Sequence, residues 1–165
     1  MPLANKEYTD IAPSSFQNLS LLYRLYLNSN KIKKLQPNIF DNLSRLEDLF
    51  FNDNHRRYLW QIIELQPGTF NNLPNLRDLH LEHNHRRCLW QIRELHSEHN
   101  HRRCLWQIRE LHSDLFNNLF SLKFLHLYNN QINVLPSNIF NNLSLLIEFQ
   151  PNQYYGLSNR VIINR

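Results

Sequence analysis

The sequence predicts an α/β solenoid: stacked short coils, a parallel β-sheet along the concave side, and an irregular or short-helical convex side. Three observations predict it. The frame L-x-x-L-x-L-x-x-N starts at Leu22 and Leu122, and with Phe at one leucine position at Leu46; Leu76 opens a fourth copy. A second column, Phe16, Phe40, Phe70, Phe116 and Phe140, advances by the same irregular steps of 24, 30, 46 and 24 residues, each Phe followed three residues later by Leu. Glycine is confined to Gly68 and Gly156, so the corners fall to Asn, Pro and Ser. A recurring unit of roughly 20–50 residues is the signature of a solenoid, because one coil cannot bury its apolar face without a neighbour.

Each coil can be justified in turn. Residues 1–21 form a partial coil, in which Leu3 takes the place of Leu27 and Ile11 that of Leu35. Coil 22–45 carries Leu22, Leu25, Leu27, Asn30 and Ile32. Side chains alternate along a strand, so Leu25 and Leu27 turn inward while Arg24, Tyr26 and Asn28 turn outward. Coil 46–75 repeats this with Leu49, Phe51 and Asn54 inside and Asp48, Phe50 and Asn52 outside. Coil 76–121 places Leu79, Leu81 and Asn84 inside and Asp78, His80 and Glu82 outside. Coil 122–145 places Leu125, Leu127 and Asn130 inside and Phe124, His126 and Tyr128 outside. The frame decays over 146–165, where Pro151 replaces a strand leucine and Tyr154 an Asn; an irregular cap is expected there. Asn30, Asn54, Asn84 and Asn130 are expected to form a ladder, since a buried turning backbone needs polar partners. The Phe column is expected to form a spine on the far side.

These columns resemble the leucine-rich repeat family, in its 24-residue form with Phe near the end of each repeat. That form is common in extracellular proteins such as Toll-like receptors, Slit and the small proteoglycans. The resemblance runs from about Leu3 to about Phe149. It implies a horseshoe with a concave parallel sheet. Secreted relatives have four-cysteine caps, which neither end shows. The expectation is therefore a fragment of a longer protein, with open apolar ends that favour self-association.

Two coils carry extra residues at one place. After Asn54 come His-Arg-Arg-Tyr-Leu-Trp (insert 55–60), and after Asn84 come His-Arg-Arg-Cys-Leu-Trp. The second insert is lengthened to 85–106 because segment 82–97, EHNHRRCLWQIRELHS, is repeated identically as 98–113. A bulged loop is expected there, since the 16-residue spacing is too short for one turn of a coil, which takes about 20–29 residues. The inserts contain all three tryptophans, Trp60, Trp90 and Trp106, and three arginine pairs, Arg56-Arg57, Arg86-Arg87 and Arg102-Arg103. Without those pairs the net charge of +4 becomes slightly acidic, 12 basic against 14 acidic residues. The basic character therefore belongs to the inserts.

Several functions are excluded or weakened. No apolar run of roughly 18 residues is present, so no membrane-spanning helix is expected. No nucleophile elbow, phosphate loop or HExxH occurs, and a non-catalytic protein without cofactor is expected. His83-Asn-His85-x-x-Cys88 recurs as His99-Asn-His101-x-x-Cys104, but the spacing matches no common zinc motif, and no metal site is expected. Cys88 and Cys104 are open to pairing or to remaining thiols.

The main expectation is a protein–protein interaction module with its ligand on the concave face: Arg24, Tyr26, Asp48, Phe50, Asp78, His80, Phe124, His126 and Tyr128. The middle column, Tyr26, Phe50, His80 and His126, is a ring-bearing stripe, and rings give large contact area at low entropy cost. One alternative is an intracellular leucine-rich scaffold. Another is polyanion binding, glycosaminoglycan or nucleic acid, through the arginine and tryptophan inserts. Asn18, Asn42 and Asn142 each begin Asn-Leu-Ser, an N-glycosylation acceptor in one phase of the repeat. They favour an extracellular or cell-surface location over a cytoplasmic one.

Overall fold

The computed structural model describes residues 1–54, 64–84, 111–128, 130, 132, 135–150 and 161–162. Each leucine frame forms one strand of three residues: β1 (Arg24–Tyr26), β3 (Asp48–Phe50), β5 (Asp78–His80), β6 (Phe124–His126) and β7 (Glu148–Gln150). Two shorter strands, β2 (Lys34–Leu35) and β4 (Glu64–Leu65), pair separately in parallel. In the main sheet the order is β1-β3-β5-β6-β7-β8, where β8 is Val161–Ile162. From β1 to β7 pairing is parallel and in register, Leu25 beside Leu49, then Leu79, Leu125 and Phe149.

Stacking of whole coils produces this register. Leu25, Leu49, Leu79 and Leu125 are fully buried, as are Leu46, Leu76, Leu81, Leu122 and Leu127. A one-residue slip would turn each inward leucine to solvent, which fixes the register. Each such burial is worth roughly 1.5–3 kcal/mol. At the N-terminal side the same ladder continues: Tyr26 N donates to Met1 O and Leu3 N to Tyr26 O. Leu3 thus occupies the position of Leu27, as its place in the frame predicts.

The asparagine ladder is present. Asn54 Nδ2 donates to Phe51 O of its own coil at 3.0 Å and to Leu27 O of the preceding one at 2.9 Å. Asn30, Asn84 and Asn130 repeat the arrangement, on Leu3 and Leu27, Phe51 and Leu81, and Leu81 and Leu127. Asn54 Oδ1 accepts from Ile32 N, and Asn84 Oδ1 from Asn54 N. The residue before each of three ladder positions is left-handed: Ser29, Asp53 and His83 have φ of 57°, 55° and 53°. This turn aims their N–H groups at the next coil, at Asn52 O, Glu82 O and Tyr128 O. Asn38 and Gly68 share another left-handed position, at φ 62° and 81°. Asn and Gly tolerate that conformation best.

The convex side is built of turns among the described residues. Ile39 N to Gln36 O, Asp41 N to Asn38 O and Leu43 N to Phe40 O are three-residue closures. Inside them runs the phenylalanine spine: Phe16, Phe40, Phe70 and Phe116 stack with centroids 5.9, 6.1 and 6.3 Å apart. The β2–β4 pair is an addition that the repeat frame did not announce. At the far end β8 pairs antiparallel with β7, while most of the irregular cap expected there lies outside the described residues.

Candidate ligand-binding face

The outward positions of β1, β3, β5 and β6 fall into straight columns because the strands are in register. In the central column the rings stack face to face. Centroids are 4.6 Å apart for Tyr26 and Phe50, 4.5 Å for Phe50 and His80, and 4.3 Å for His80 and His126. Interplanar angles are 5°, 18° and 9°. The strand repeat of about 4.8 Å sets this spacing, and offset ring stacking favours it. All four rings are half-buried, each with an edge on the concave surface.

The flanking column is Arg24, Asp48, Asp78, Phe124 and Glu148. Arg24 Nε lies 2.6 Å from Asp48 Oδ2, and that carboxylate raises the guanidinium further above its usual value. Asp78 is adjacent to Asp48 and needs its own cations. Its Oδ1 lies 3.3 Å from His80 Nε2 and 3.1 Å from His126 Nε2. Neither approach is aligned as a hydrogen bond, so these are charge contacts around a buried oxygen. Burial alone would raise the Asp78 carboxyl; the imidazoles of His126 and His80 outweigh it and hold the group well below the usual carboxylate range.

His80 is held from both sides. Its Nδ1 lies 3.1 Å from Glu82 Oε1, opposite the Asp78 contact. Burial lowers its pKa, but the charge of Asp78 and the hydrogen bond and charge of Glu82 prevail, and it is pushed up to about 9. Glu82, expected as an outward strand residue, is only 5% exposed. Tyr128 is half-buried; burial and the charges of Glu82 and Asp53 raise its hydroxyl, while His83 meets its ring edge-on at 5.0 Å.

These shifts set a pH dependence with a definite sign. A raised histidine stabilises the fold fully below its unfolded value of about 6.5, and the contribution is lost as pH rises through the folded value. For His80 that loss runs toward pH 9. Asp78 acts oppositely: its contribution is present above about 3.9 and is lost as acid protonates the folded carboxylate. In chelating buffer, the melting temperature should therefore fall between pH 7 and 9.5, and His80→Gln should flatten that limb. Parallel pH profiles for the two proteins would refute this assignment.

The sequence-predicted face is thus brought together over Arg24, Tyr26, Asp48, Phe50, Asp78, His80, Phe124, His126 and Tyr128. The insert residues Arg56, Arg57, Trp60, Arg86, Arg87, Trp90, Arg102, Arg103 and Trp106 lie outside the described residues, as do Cys88 and Cys104. Asn18, Asn42 and Asn142 are exposed in convex turns. The sequence reading missed the joining of His80 and His126 through Asp78. The signal was there: two histidines share one register position, with Asp two residues before the first.

No curated protein matches the chain. Residues 2–55 match the family model described as leucine rich repeat. Among solved structures, the TLR13–ssRNA13 complex is similar over 87% of this chain and 17% of that one, at 23% identity and a TM-score of 0.63. The Toll–Spatzle complex from Drosophila is similar over 82% of this chain and 14% of that one, at 19% identity and a TM-score of 0.56. An octameric complex of Latrophilin 3, Unc5D and the FLRT2 LRR is similar over 89% of this chain and 36% of that one, at 22% identity and a TM-score of 0.64. The chain therefore spans a minor part of each of these proteins, and at such identities the likeness is one of fold. Repeat columns, the family match over residues 2–55 and the shared architecture agree on a leucine-rich repeat fold, and it is that family that the chain resembles.

Proposed function

We propose that this chain is a non-catalytic protein-binding module whose ligand docks on the concave sheet. The ring stack carries this reading. Tyr26, Phe50, His80 and His126 make a continuous edge of preordered rings, and preordering removes much of the entropy cost of contact. Beside them the carboxylates Asp48, Asp78, Glu82 and Glu148 outnumber Arg24 and His80, the cations they face, and this acidic excess favours a ligand with basic groups next to an apolar anchor. The similar structures include complexes whose names give partners: ssRNA for TLR13, Spatzle for Toll.

The exposed Asn-Leu-Ser sites on the convex side favour display in an extracellular or cell-surface setting, with the concave face left clear of glycans. Polyanion binding through the arginine inserts is the second reading. The acidic excess disfavours a polyanion on the sheet itself, so such a ligand belongs on the inserts and should weaken steeply with salt.

The test uses a library of cell-surface and secreted ectodomains screened against the full chain. A ligand found this way should lose at least ~2 kcal/mol of affinity on Phe50→Ala, as a central aromatic anchor does. Convex Asp41→Ala should leave affinity unchanged. The concave reading fails if Phe50→Ala binds such ligands as tightly as the original chain.

A further inference from the structure

We propose that Asp78, His80 and His126 form a binding site for one first-row transition-metal dication of the Zn2+ type, on the concave sheet. The three side chains offer ligand atoms that all lie within 4.8 Å of one another. Two edges of that triangle already have coordination length. Zinc takes nitrogen and oxygen at ~2.0–2.2 Å in a tetrahedron, which separates neighbouring ligand atoms by roughly 3.3 Å. Asp78 Oδ1 is 3.3 Å from His80 Nε2 and 3.1 Å from His126 Nε2. The third edge must close by a tilt. The imidazoles stack nearly parallel at 4.3 Å, and a metal needs both in-plane lone pairs to converge. Rotation of the His126 ring about its outer torsion would turn its Nε2 toward that of His80 and close this edge, with Asp78 Oδ1 still in reach.

A second observation also points to a metal. Ligating histidines usually donate their other ring N–H to a carboxylate, which fixes tautomer and orientation. Glu82 does this for His80: its Oε1 lies 3.1 Å from Nδ1, leaving Nε2 for a metal. Glu82 is 5% exposed, so this partner is built into the protein and is not a chance surface contact. Asp78 Oδ1, meanwhile, is buried with no aligned hydrogen-bond donor. A dication supplies what that oxygen lacks, and it displaces the Nε2 proton of His80 to solvent as it binds. Two imidazoles and one carboxylate suit zinc, copper or nickel; calcium and magnesium prefer all-oxygen sets. Three protein ligands leave one position for water or for a donor atom from a bound ligand. The site stands independently of the docking reading above.

The test is calorimetric titration of Zn2+ into the full chain carrying Cys88→Ser and Cys104→Ser, which removes competing thiolates. Saturable binding is expected. Glu82→Gln should weaken it by roughly 10-fold, the scale of losing an outer partner. His126→Asn and Asp78→Asn should each weaken it more. Exposed His112→Ala should bind as tightly as its parent, and Mg2+ should not compete. Circular dichroism identifies variants that remain folded; Asp78→Asn is nearly isosteric and is decisive if the histidine variants unfold. Zinc binding of equal affinity in folded Asp78→Asn and His126→Asn would overturn the proposal and assign the metal to histidines of the inserts. Absence of zinc binding to the parent would overturn it as well.

Discussion

Asn54→Ala should destabilise the protein by roughly 2–5 kcal/mol, from one orphaned buried N–H and two lost donors. Asn54 is 2% exposed and its side chain joins its own coil to the preceding one. Its Nδ2 bonds Phe51 O and Leu27 O, and its Oδ1 receives Ile32 N. The two carbonyls keep second partners, since Asn84 also donates to Phe51 O and Asn30 to Leu27 O. Among the described residues Ile32 N has no such reserve. The cost therefore falls on the turn that follows β1, one coil away from the substitution. Asn54→Asp keeps the acceptor but loses the donor and buries a charge, so it should be at least as damaging. Neighbouring Asn52 is half-buried, and among the described residues its side chain bonds only Asp53. Asn52→Ala should stay within about 0.5 kcal/mol. Urea unfolding followed by circular dichroism ranks the three variants. Equal midpoints for Asn52→Ala and Asn54→Ala would mean that the ladder carries no stability.

The scaffold was legible because it is written several times. A single L-x-x-L-x-L is weak evidence, but Leu25, Leu49, Leu79 and Leu125 keep step with Phe16, Phe40, Phe70 and Phe116 through unequal intervals. Coincidence does not do that, and both columns are buried where they were placed. The ladder followed for the same reason. Features that occur once were not legible. The β2–β4 pair forms once: Lys34-Leu35 and Glu64-Leu65 stand 30 residues apart in one phase of the repeat, but nothing in that phase marks a strand pair. The antiparallel β8 lies beyond the last frame, where periodicity has nothing to say. On the concave face, the ring stripe was visible as a column. Reading His80 and His126 as rings concealed their nitrogen chemistry, and Asp78 read as a flanking acid concealed what it joins. Asp78 and His126 stand 48 residues apart in the chain, and the shared register position of the histidines, not their spacing, is what announces the 3.1 Å contact. Glu82 shares the outward face with His80, which it bonds, yet it is buried, because the alternation rule does not count what neighbouring side chains cover.

Phe70→Ala should cost about 3–5 kcal/mol, the range for removing a fully buried aromatic ring. Phe70 is 0% exposed and stacks on Phe40 at 6.1 Å and on Phe116 at 6.3 Å. Its position gives the loss a further consequence. In a solenoid each coil is stabilised mainly by its neighbours, so cooperativity depends on every interface in series. Phe70 and Phe116 belong to consecutive coils separated by 46 residues, far more than the 24 of the regular steps. Covalent continuity couples those coils weakly, and the spine and sheet must do it. Removing Phe70 should therefore uncouple the N-terminal coils from the C-terminal ones, while Phe16→Ala, at the spine's end, should only lower the midpoint. Native-state hydrogen exchange can separate these outcomes. In Phe70→Ala the Leu27 and Phe51 amides, which bond Phe50 O and His80 O, should lose protection to a different extent from the Leu81 amide, which bonds His126 O. In Phe16→Ala the Phe51 and Leu81 amides should lose protection together. If all three fall equally in Phe70→Ala, the sheet alone transmits cooperativity and the spine contributes only burial.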